Sequence, residues 1–347
     1  MNGVLVIDKP DGLTSHDVVA RCRRILKTKK IGHTGTLDPF ATGVMVVLVG
    51  KATRLAQFLD KDEKEYEAVV RFGFETTTGD LTGDRSVPPA SAGGQGDPRA
   101  GEGESGRVGE GESGGVGEIP PIPHSPVPPL AAAPVPPLVP ASVPAATVIE
   151  AALAAMTGKI LQTPPMYSAK KVDGKKLYEL ARQGIDIERQ PVEVMIRELE
   201  ILDGSDLPDT DLRIRVVCSA GTYVRTLAED LARLAGSRAH LVGLRRTRAG
   251  RFGIESAVSL EELEWISGDG RIDKTMIPMT DALGHLPEIR LNSDRAAKTR
   301  NGLATRIKLD DVADGTAVRM IGETGELLAI GSFDAINGEI KPRIVLV

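Results

Sequence analysis

The stretch "GHTGTLDPFATGVMVVLV", residues 32–49, joins a loop rich in glycine and threonine to an apolar run. Glycine tolerates unusual backbone angles and aspartate bonds nearby amides, so the first part is typical of a turn. The run at 44–49 has the length and composition of one buried strand. Asp38 therefore lies in a loop held by a buried strand, where binding and catalytic groups concentrate. Taken alone, an Asp-Pro pair is better explained as a feature that shapes the turn.

Periodicity on either side of this stretch predicts strands mixed with helices, without a regular β-α-β repeat. Strands are expected at 3–8, 66–74 and 212–218. Helices are expected from Thr14 or Ser15 to about Leu26, from a capping box at 147–150 to Gly158, and over 222–236. The predicted fold class is α/β of the α+β type, with a mixed, largely antiparallel sheet and flanking helices.

Composition divides the chain into three regions. Residues 1–85 and 147–283 carry the strand and helix patterns of one domain. Residues 86–146 combine an imperfect glycine-glutamate repeat with a proline-alanine-rich stretch. Such a segment buries too little apolar area to offset the entropy of ordering, so it is predicted to be a disordered insert. Residues 284–347 show short strands between glycine turns and predict a small β-rich second domain.

Charge and cysteine content narrow the class of protein. The net charge is −5, but residues 86–146 hold six acidic and two basic residues, so the remainder carries only −1. That remainder has basic clusters at 21–30, 170–176 and 245–251, which are equally compatible with a solvated face or a phosphate-binding surface. Cys22 and Cys218 are far apart and lack metal-ligand spacing, which favours a reducing compartment. With no secretory signal or membrane span in the sequence, a cytoplasmic location is expected.

Five segments together resemble one enzyme family. They are "DKPDGLTSHDVV" (8–19), "GHTGTLDPFATGVMVVLVGKATRL" (32–55), "KEYEAVVRFG" (64–73), "QTPPMYSAKKVDGKKLYELAR" (162–182) and "CSAGTYVRTLAEDLARLAGSRAHLVGLRRT" (218–247). In the same order and across nearly the whole chain except 86–146, they resemble the bacterial TruB family of tRNA pseudouridine-55 synthases. The resemblance implies the pseudouridine synthase fold, and residues 284–347 are similar to the PUA-like RNA-binding domain of such enzymes.

The resemblance implies isomerisation of uridine 55 in the T-loop of tRNA, after the base is flipped out of its stack. No metal or other cofactor is implied. Asp38 matches the catalytic aspartate and Arg225 the arginine that keeps it ionised, since burial alone raises the pKa of a carboxyl group. Tyr66 matches the tyrosine that stacks on the base and handles a proton. Considered alone, Arg225 is better explained as a surface arginine and Tyr66 as a packing residue.

Further residues are implied to bind the substrate. Tyr223 and Leu244 match the lining of the uracil pocket, and His33 matches a histidine that packs where the flipped base was. Lys9 and Asp80 match positions that support the first strand and the Asp–Arg network. The implied partner is the T-arm of tRNA, bound by a monomer with no guide RNA and no membrane.

Two other functions remain open from the sequence. One is a non-catalytic protein that binds or folds tRNA with the same surface. The other is a related synthase that acts on another RNA or is directed by a guide RNA. Mapping pseudouridine in RNA with and without the protein separates these alternatives.

Overall fold

The computed structural model describes residues 1–86, 143–168, 170–172, 174–307, 309 and 312–346. The predicted insert therefore lies almost entirely outside the described residues. The N-terminal part contains β1 (Gly3–Lys9), α1 (Ser15–Ile25), β2 (Ile31–Thr34), β3 (Thr42–Val49), α2 (Ala56–Leu59) and β4 (Lys64–Phe72). It is followed by α3 (Ala146–Met156), β5 (Gly158–Gln162), β6 (Lys171–Val172), β7 (Lys175–Lys176), α4 (Leu177–Ala181), β8 (Val192–Ile201), β9 (Asp211–Cys218) and α5 (Val224–Leu234). The elements that complete this part are β10 (Ala239–Ala249), β11 (Phe252–Gly253), α6 (Leu260–Gly268), α7 (Ile272–Thr275) and α8 (Met279–Ala282).

Except for β6 and β7, which pair with each other, these strands form one large sheet in the order β1-β3-β10-β4-β9-β8-β5, with β2 added to β3 and β11 to β10. Strands β3 and β10 pair in parallel, and the other neighbours in the sheet pair antiparallel. The predicted mixed, largely antiparallel sheet is therefore confirmed. In the part of the chain that the structure describes, no helix is long and apolar enough to cross a membrane.

The core under the centre of the sheet is built by α3 and α5. Leu227 and Leu231 of α5 are fully buried against strands β4, β9 and β10, as the helical spacing predicted, whereas Leu234 is only partly buried. The predicted cap of α1 is also confirmed. The Thr14 hydroxyl oxygen accepts a hydrogen bond from the Asp17 amide, and the Asp17 carboxylate accepts one from the Thr14 amide, which makes a complete capping box.

The capping box predicted at 147–150 is wrong. Helix α3 begins at Ala146, with Ala145 as its N-cap and no side-chain bond to the cap, so Thr147 already lies inside the helix. A tertiary contact holds the chain just before this helix: the amide of Val143 donates to the carbonyl of Asp209 at 3.1 Å. Val143 also packs against the core of the large sheet. Val143, inside the range predicted for the insert, therefore already belongs to the packed structure.

A second sheet follows the first, as the sequence predicted. Its elements are β12 (Glu288–Arg290), α9 (Ser293–Arg300), β13 (Thr305–Arg306), β14 (Ala317–Ile321), β15 (Leu327–Asp334) and β16 (Glu339–Val345). The strand order is β12-β14-β15-β16-β13. Ile321, Ile330 and Ile344 of this sheet share a buried cluster with Val4 and Val44 of β1 and β3. The two sheets are thus joined by a continuous apolar core.

Candidate active site

The loop that carries Asp38 is fixed on both sides of that residue. Lys9, fully buried at the end of β1, donates through Nζ to the carbonyls of Pro10, Leu13 and Pro39 at 2.8, 2.6 and 3.0 Å. On the other side, the Ser15 hydroxyl accepts from the Leu37 amide at 2.9 Å and donates to its carbonyl at 3.2 Å. Because its two chain neighbours are held, Asp38 has little freedom to change position.

Asp38 forms an ion pair with Arg225 in the first turn of α5. Nε of Arg225 lies 2.9 Å from Oδ2 of Asp38, and Nη2 lies 3.3 Å from Oδ1. The arginine side chain is 5% exposed, whereas the aspartate side chain is 35% exposed. The carboxylate is therefore held by a buried cation on one side and remains open to an incoming molecule on the other.

Arg225 is itself held by backbone carbonyls and a second carboxylate. Its Nη1 donates to the Thr78 carbonyl at 2.6 Å and its Nη2 to the Tyr167 carbonyl at 2.7 Å. Nη1 lies 3.8 Å from Oδ2 of Asp80. Asp80 is fixed in turn, because Oδ1 accepts bonds from the Thr78 hydroxyl and from the amide and hydroxyl of Thr82. The predicted Asp38–Arg225–Asp80 network is present, and loops far apart in sequence hold it.

Opposing effects act on the protonation of Asp38. Burial raises the pKa of its carboxyl group, the charge of Arg225 lowers it, and the nearby Asp80 raises it. The two bonds from Arg225 are made to the charged form, and part of the carboxylate stays hydrated. We therefore expect Asp38 to be ionised at neutral pH and available as a nucleophile or base.

Tyr66 projects from β4 into the core next to this loop. It is 9% exposed and packs in the same cluster as Leu37, Phe40 and Leu244. Burial raises the pKa of its hydroxyl group, and the charge of Arg246 opposes that rise. Tyr66 is thus a neutral phenol beside the loop. Leu244 also borders a shallow cleft of about 280 Å³, but Asp38, Tyr66 and Arg225 do not line that cleft.

The structure places His33 and Tyr223 near these elements, without a bond between either and Asp38 among the described residues. His33 lies on β2, packs edge-on against His16 with ring centroids 5.9 Å apart, and leaves Nδ1 buried without a partner. Burial lowers the pKa of His33, which favours neutral imidazole. Tyr223 is the N-cap residue of α5. Gln162 holds it through two bonds, donating to its carbonyl at 3.1 Å and accepting from its amide at 2.8 Å.

Sequence reasoning missed the support that Ser15, Gln162 and Arg246 give to this site. Ser15 and Gln162 lie inside segments that resemble the family, so their position was a usable signal. Arg246 was grouped with the basic cluster at 245–251, and the structure corrects that interpretation. Arg246 is 1% exposed, and its neighbours Arg245 and Arg248 form ion pairs with Asp8 and Glu65. These three arginines are committed to contacts within the protein.

Comparisons with known proteins agree with this architecture. Residues 23–92 and 140–224 match the N-terminal domain of the TruB family of pseudouridylate synthases, and residues 225–284 match the tRNA pseudouridylate synthase B C-terminal domain. The tRNA pseudouridine synthase B of Geobacillus thermodenitrificans (strain NG80-2) is 40% identical over 347 residues, which cover 99% of this chain and 98% of that protein. The protein of the same description from Geobacillus kaustophilus (strain HTA426) is 41% identical over 310 residues, covering 88% of this chain and 92% of its own.

A solved structure supports the fold. A chain in the structure described as an H/ACA RNP bound to a substrate RNA containing 2′-deoxyuridine superposes with a TM-score of 0.64 at 23% identity, covering 99% of this chain and 85% of that one. The fold and the matched domains define an RNA pseudouridine synthase, an isomerase. The chain belongs to the TruB family of pseudouridylate synthases.

Proposed function

We propose that this enzyme converts uridine 55 in the T-loop of tRNA to pseudouridine, with Asp38 as its catalytic carboxylate. The Asp38–Arg225 ion pair carries the proposal, because it presents an ionised, partly open carboxylate on a fixed loop. The names of the relatives, tRNA pseudouridine synthase B, support tRNA as the substrate. The resemblance of the motifs around Asp38 to the tRNA pseudouridine-55 synthases supports position 55.

The reaction needs an ionised group rather than an external reagent. The bond between N1 of uracil and C1′ of the ribose breaks, the base turns, and a bond forms between C5 and C1′. The proton lost from C5 is balanced by a proton gained at N1, so no electrons leave or enter. Asp38 attacks the sugar or assists its deprotonation, and both roles require the carboxylate form.

The target base must leave its stack to reach Asp38, because the carboxylate is only 35% exposed on its loop. Tyr66, beside the loop of Asp38, provides a flat face for the flipped uracil and a hydroxyl for proton handling. Tyr223 and Leu244 line the base pocket, and His33 packs against the vacated part of the T-loop. Lys9 and Asp80 support the positions of Asp38 and Arg225 rather than contact the base.

The test compares the wild type with Asp38→Asn on tRNA whose only labelled uridine is residue 55, by release of tritium from C5. Asparagine is nearly isosteric but is neither a nucleophile nor a base, so binding should persist while single-turnover product falls below detection. Asp206→Asn is the matched control, because Asp206 forms a surface ion pair with Arg213. Appreciable product from Asp38→Asn would contradict the catalytic assignment. Wild-type binding without product would instead indicate a protein that only binds or folds tRNA.

A further inference from the structure

Arg246 on β10 is a buried cation with no carboxylate partner among the described residues. Only 1% of the residue is exposed. Its Nε donates to the carbonyl of Val44 at 2.6 Å and its Nη2 to the carbonyl of Gly35 at 3.0 Å. Burying an arginine without an acidic partner costs free energy unless its N–H groups are hydrogen-bonded. Packing alone therefore does not explain why an arginine stands at this position.

The two carbonyls that accept from Arg246 lie on either side of Asp38 in the sequence. Gly35 begins the loop, and Val44 lies in β3 just after the loop ends. The backbone of Arg246 meets the same region, because it pairs with Gly43 of β3 in parallel register. A Cβ added at Gly43 would lie 2.2 Å from the Arg246 carbonyl oxygen, so only glycine allows this approach. Arg246 thus holds the backbone at both ends of the loop that carries Asp38.

The same residue is opposite Tyr66 in the antiparallel pair of β4 and β10. Side chains of directly opposed strand residues lie on the same face of a sheet. The positive charge of Arg246 opposes the rise in the pKa of Tyr66 that burial causes. It also adds to the lowering of the pKa of His33 that burial causes. One buried guanidinium therefore acts on the loop of Asp38, on Tyr66, which is assigned to the flipped base, and on His33, which is assigned to the vacated part of the T-loop.

We propose that Arg246 is a positioning residue for the isomerisation, which holds the Asp38 loop closed and sets the position and polarity of the Tyr66 hydroxyl. This inference rests on the function proposed above and adds a residue to its machinery. Arg246 has no open path to RNA, so its effect is on the rate of the chemical step rather than on tRNA binding. Lysine cannot replace it fully, because one ammonium group does not reproduce the planar fork that spans two carbonyls.

The experiment uses Arg246→Met and Arg246→Lys in the full chain. Arg319, on β14 of the second sheet, provides control variants, since its guanidinium also donates to two backbone carbonyls, those of Leu286 at 2.9 Å and Thr280 at 3.1 Å. Unlike Arg246, it also pairs with a carboxylate, that of Glu288 at 3.3 Å. Single-turnover rates at saturating enzyme, dissociation constants for tRNA and melting temperatures are measured for all variants. We expect both Arg246 variants to lose at least about tenfold in rate while tRNA affinity stays within about twofold. The Arg319 variants should retain the wild-type rate.

A double-mutant cycle with Tyr66→Phe distinguishes positioning from general loss of structure. If Arg246 acts through Tyr66, its replacement should cost less in the Tyr66→Phe background than in the wild type. Losses that multiply independently would contradict the inference, as would Arg246 variants with the wild-type rate. Where Arg246→Met does not fold, Arg246→Lys enters the same cycle. A wild-type protein that forms no pseudouridine would contradict the proposed function itself, whereas an active wild type with unaffected Arg246 variants would contradict only this inference.

Discussion

Lys9 shows how one buried side chain supports the site without touching a substrate. Its ammonium group satisfies three carbonyls, one of them that of Pro39 beside Asp38. Burial lowers the pKa of Lys9 to about 8, and the charges of Asp11 and Asp38 oppose this shift. The family resemblance implied a supporting role for Lys9 and Asp80. In the structure, Lys9 at the end of β1 anchors the loop that follows β2.

Lys9→Met should destabilise the fold, because the methionine fills the space but removes three part-buried hydrogen bonds. The Pro39 carbonyl keeps its bond from the Gly12 amide, whereas the ammonium bonds to the Pro10 and Leu13 carbonyls are lost. We expect the free energy of unfolding to fall by roughly 2–4 kcal/mol, measured by urea denaturation. The matched control is Lys51→Met at an exposed lysine, which should change stability by no more than about 0.5 kcal/mol. Equal changes in the two variants would show that the three bonds contribute nothing net.

Helix α5 connects the site to a second group of charged side chains. It presents Arg225 to Asp38 from its first turn and Glu229 from its second. Glu229, Asp230 and Glu75 share the guanidinium groups of Arg233 and Arg238. The charge of Arg225, one turn earlier on α5, also acts on Glu229. Burial, the largest effect, raises the pKa of Glu229 to about 7 against the charge of Arg233.

This pKa predicts a pH-dependent stability for α5. The folded protein binds a proton at Glu229 up to about pH 7, whereas the unfolded chain releases it near pH 4.3. Between these values the folded state holds more protons, so the contribution of Glu229 to stability falls as pH rises. Glu229→Gln should therefore match the wild type near pH 4 and exceed its free energy of unfolding by roughly 1–3 kcal/mol at pH 8. A difference between the two proteins that does not vary with pH would exclude this titration.

At the scale of the whole molecule, the segment at 86–146 differs most from the rest of the chain in composition. Composition predicts that it is disordered. The described residues end at Ser86, whose amide donates to the Glu75 carbonyl, and begin again at Val143, whose amide donates to the carbonyl of Asp209. Ser86 and Val143 should therefore be kept in any shortened protein, and Val143 lies four residues before residue 147, where composition places the first residue after the insert.

Replacing residues 88–141 with a flexible Gly/Ser linker of about 20 residues should leave catalysis nearly unchanged. No residue assigned to the site lies in the replaced range. The ratio kcat/KM for tRNA is the measurement, with a linker that also removes Val143 as the destabilised comparison. A fall of about tenfold or more, equal to about 1.4 kcal/mol of transition-state stabilisation, would show that the segment contributes to substrate binding or to the active site.

The second sheet is proposed to be the PUA-like RNA-binding domain, and its exposed basic side chains give a test. Arg295 and Lys298 are exposed on α9. Reversing both charges to glutamate should weaken tRNA binding by about tenfold and reduce its salt dependence, because phosphate contacts release counterions. Single-turnover rates at saturating enzyme should stay near those of the wild type. Lys274→Glu, on α7 of the first domain, is the control, and equal affinity of all three proteins would refute the assignment.

The sequence by itself determined many of the elements, and its family resemblance implied the residues of the proposed site. Alternating and helical spacing encode which face of a segment is apolar, so strands β1, β3, β4 and β9 and helices α1 and α5 followed from local pattern. The order of the motifs implied the pairing of Asp38 with Arg225, which lie 187 residues apart, and the structure contains that pair. A capping residue was found correctly at Thr14, where both partners of the box are local.

Only the tertiary structure decided which polar groups are buried and what satisfies them. Arg246 looked like part of a basic surface, but its partner Val44 is 202 residues away, and Gln162 meets Tyr223 across 61 residues. Thr147 had the spacing of a cap, yet the N-cap of α3 is Ala145, two residues earlier, just after the contact between Val143 and Asp209. Local pattern encodes the conformation that a segment prefers, whereas the burial of a charge depends on which distant backbone groups the completed fold places beside it.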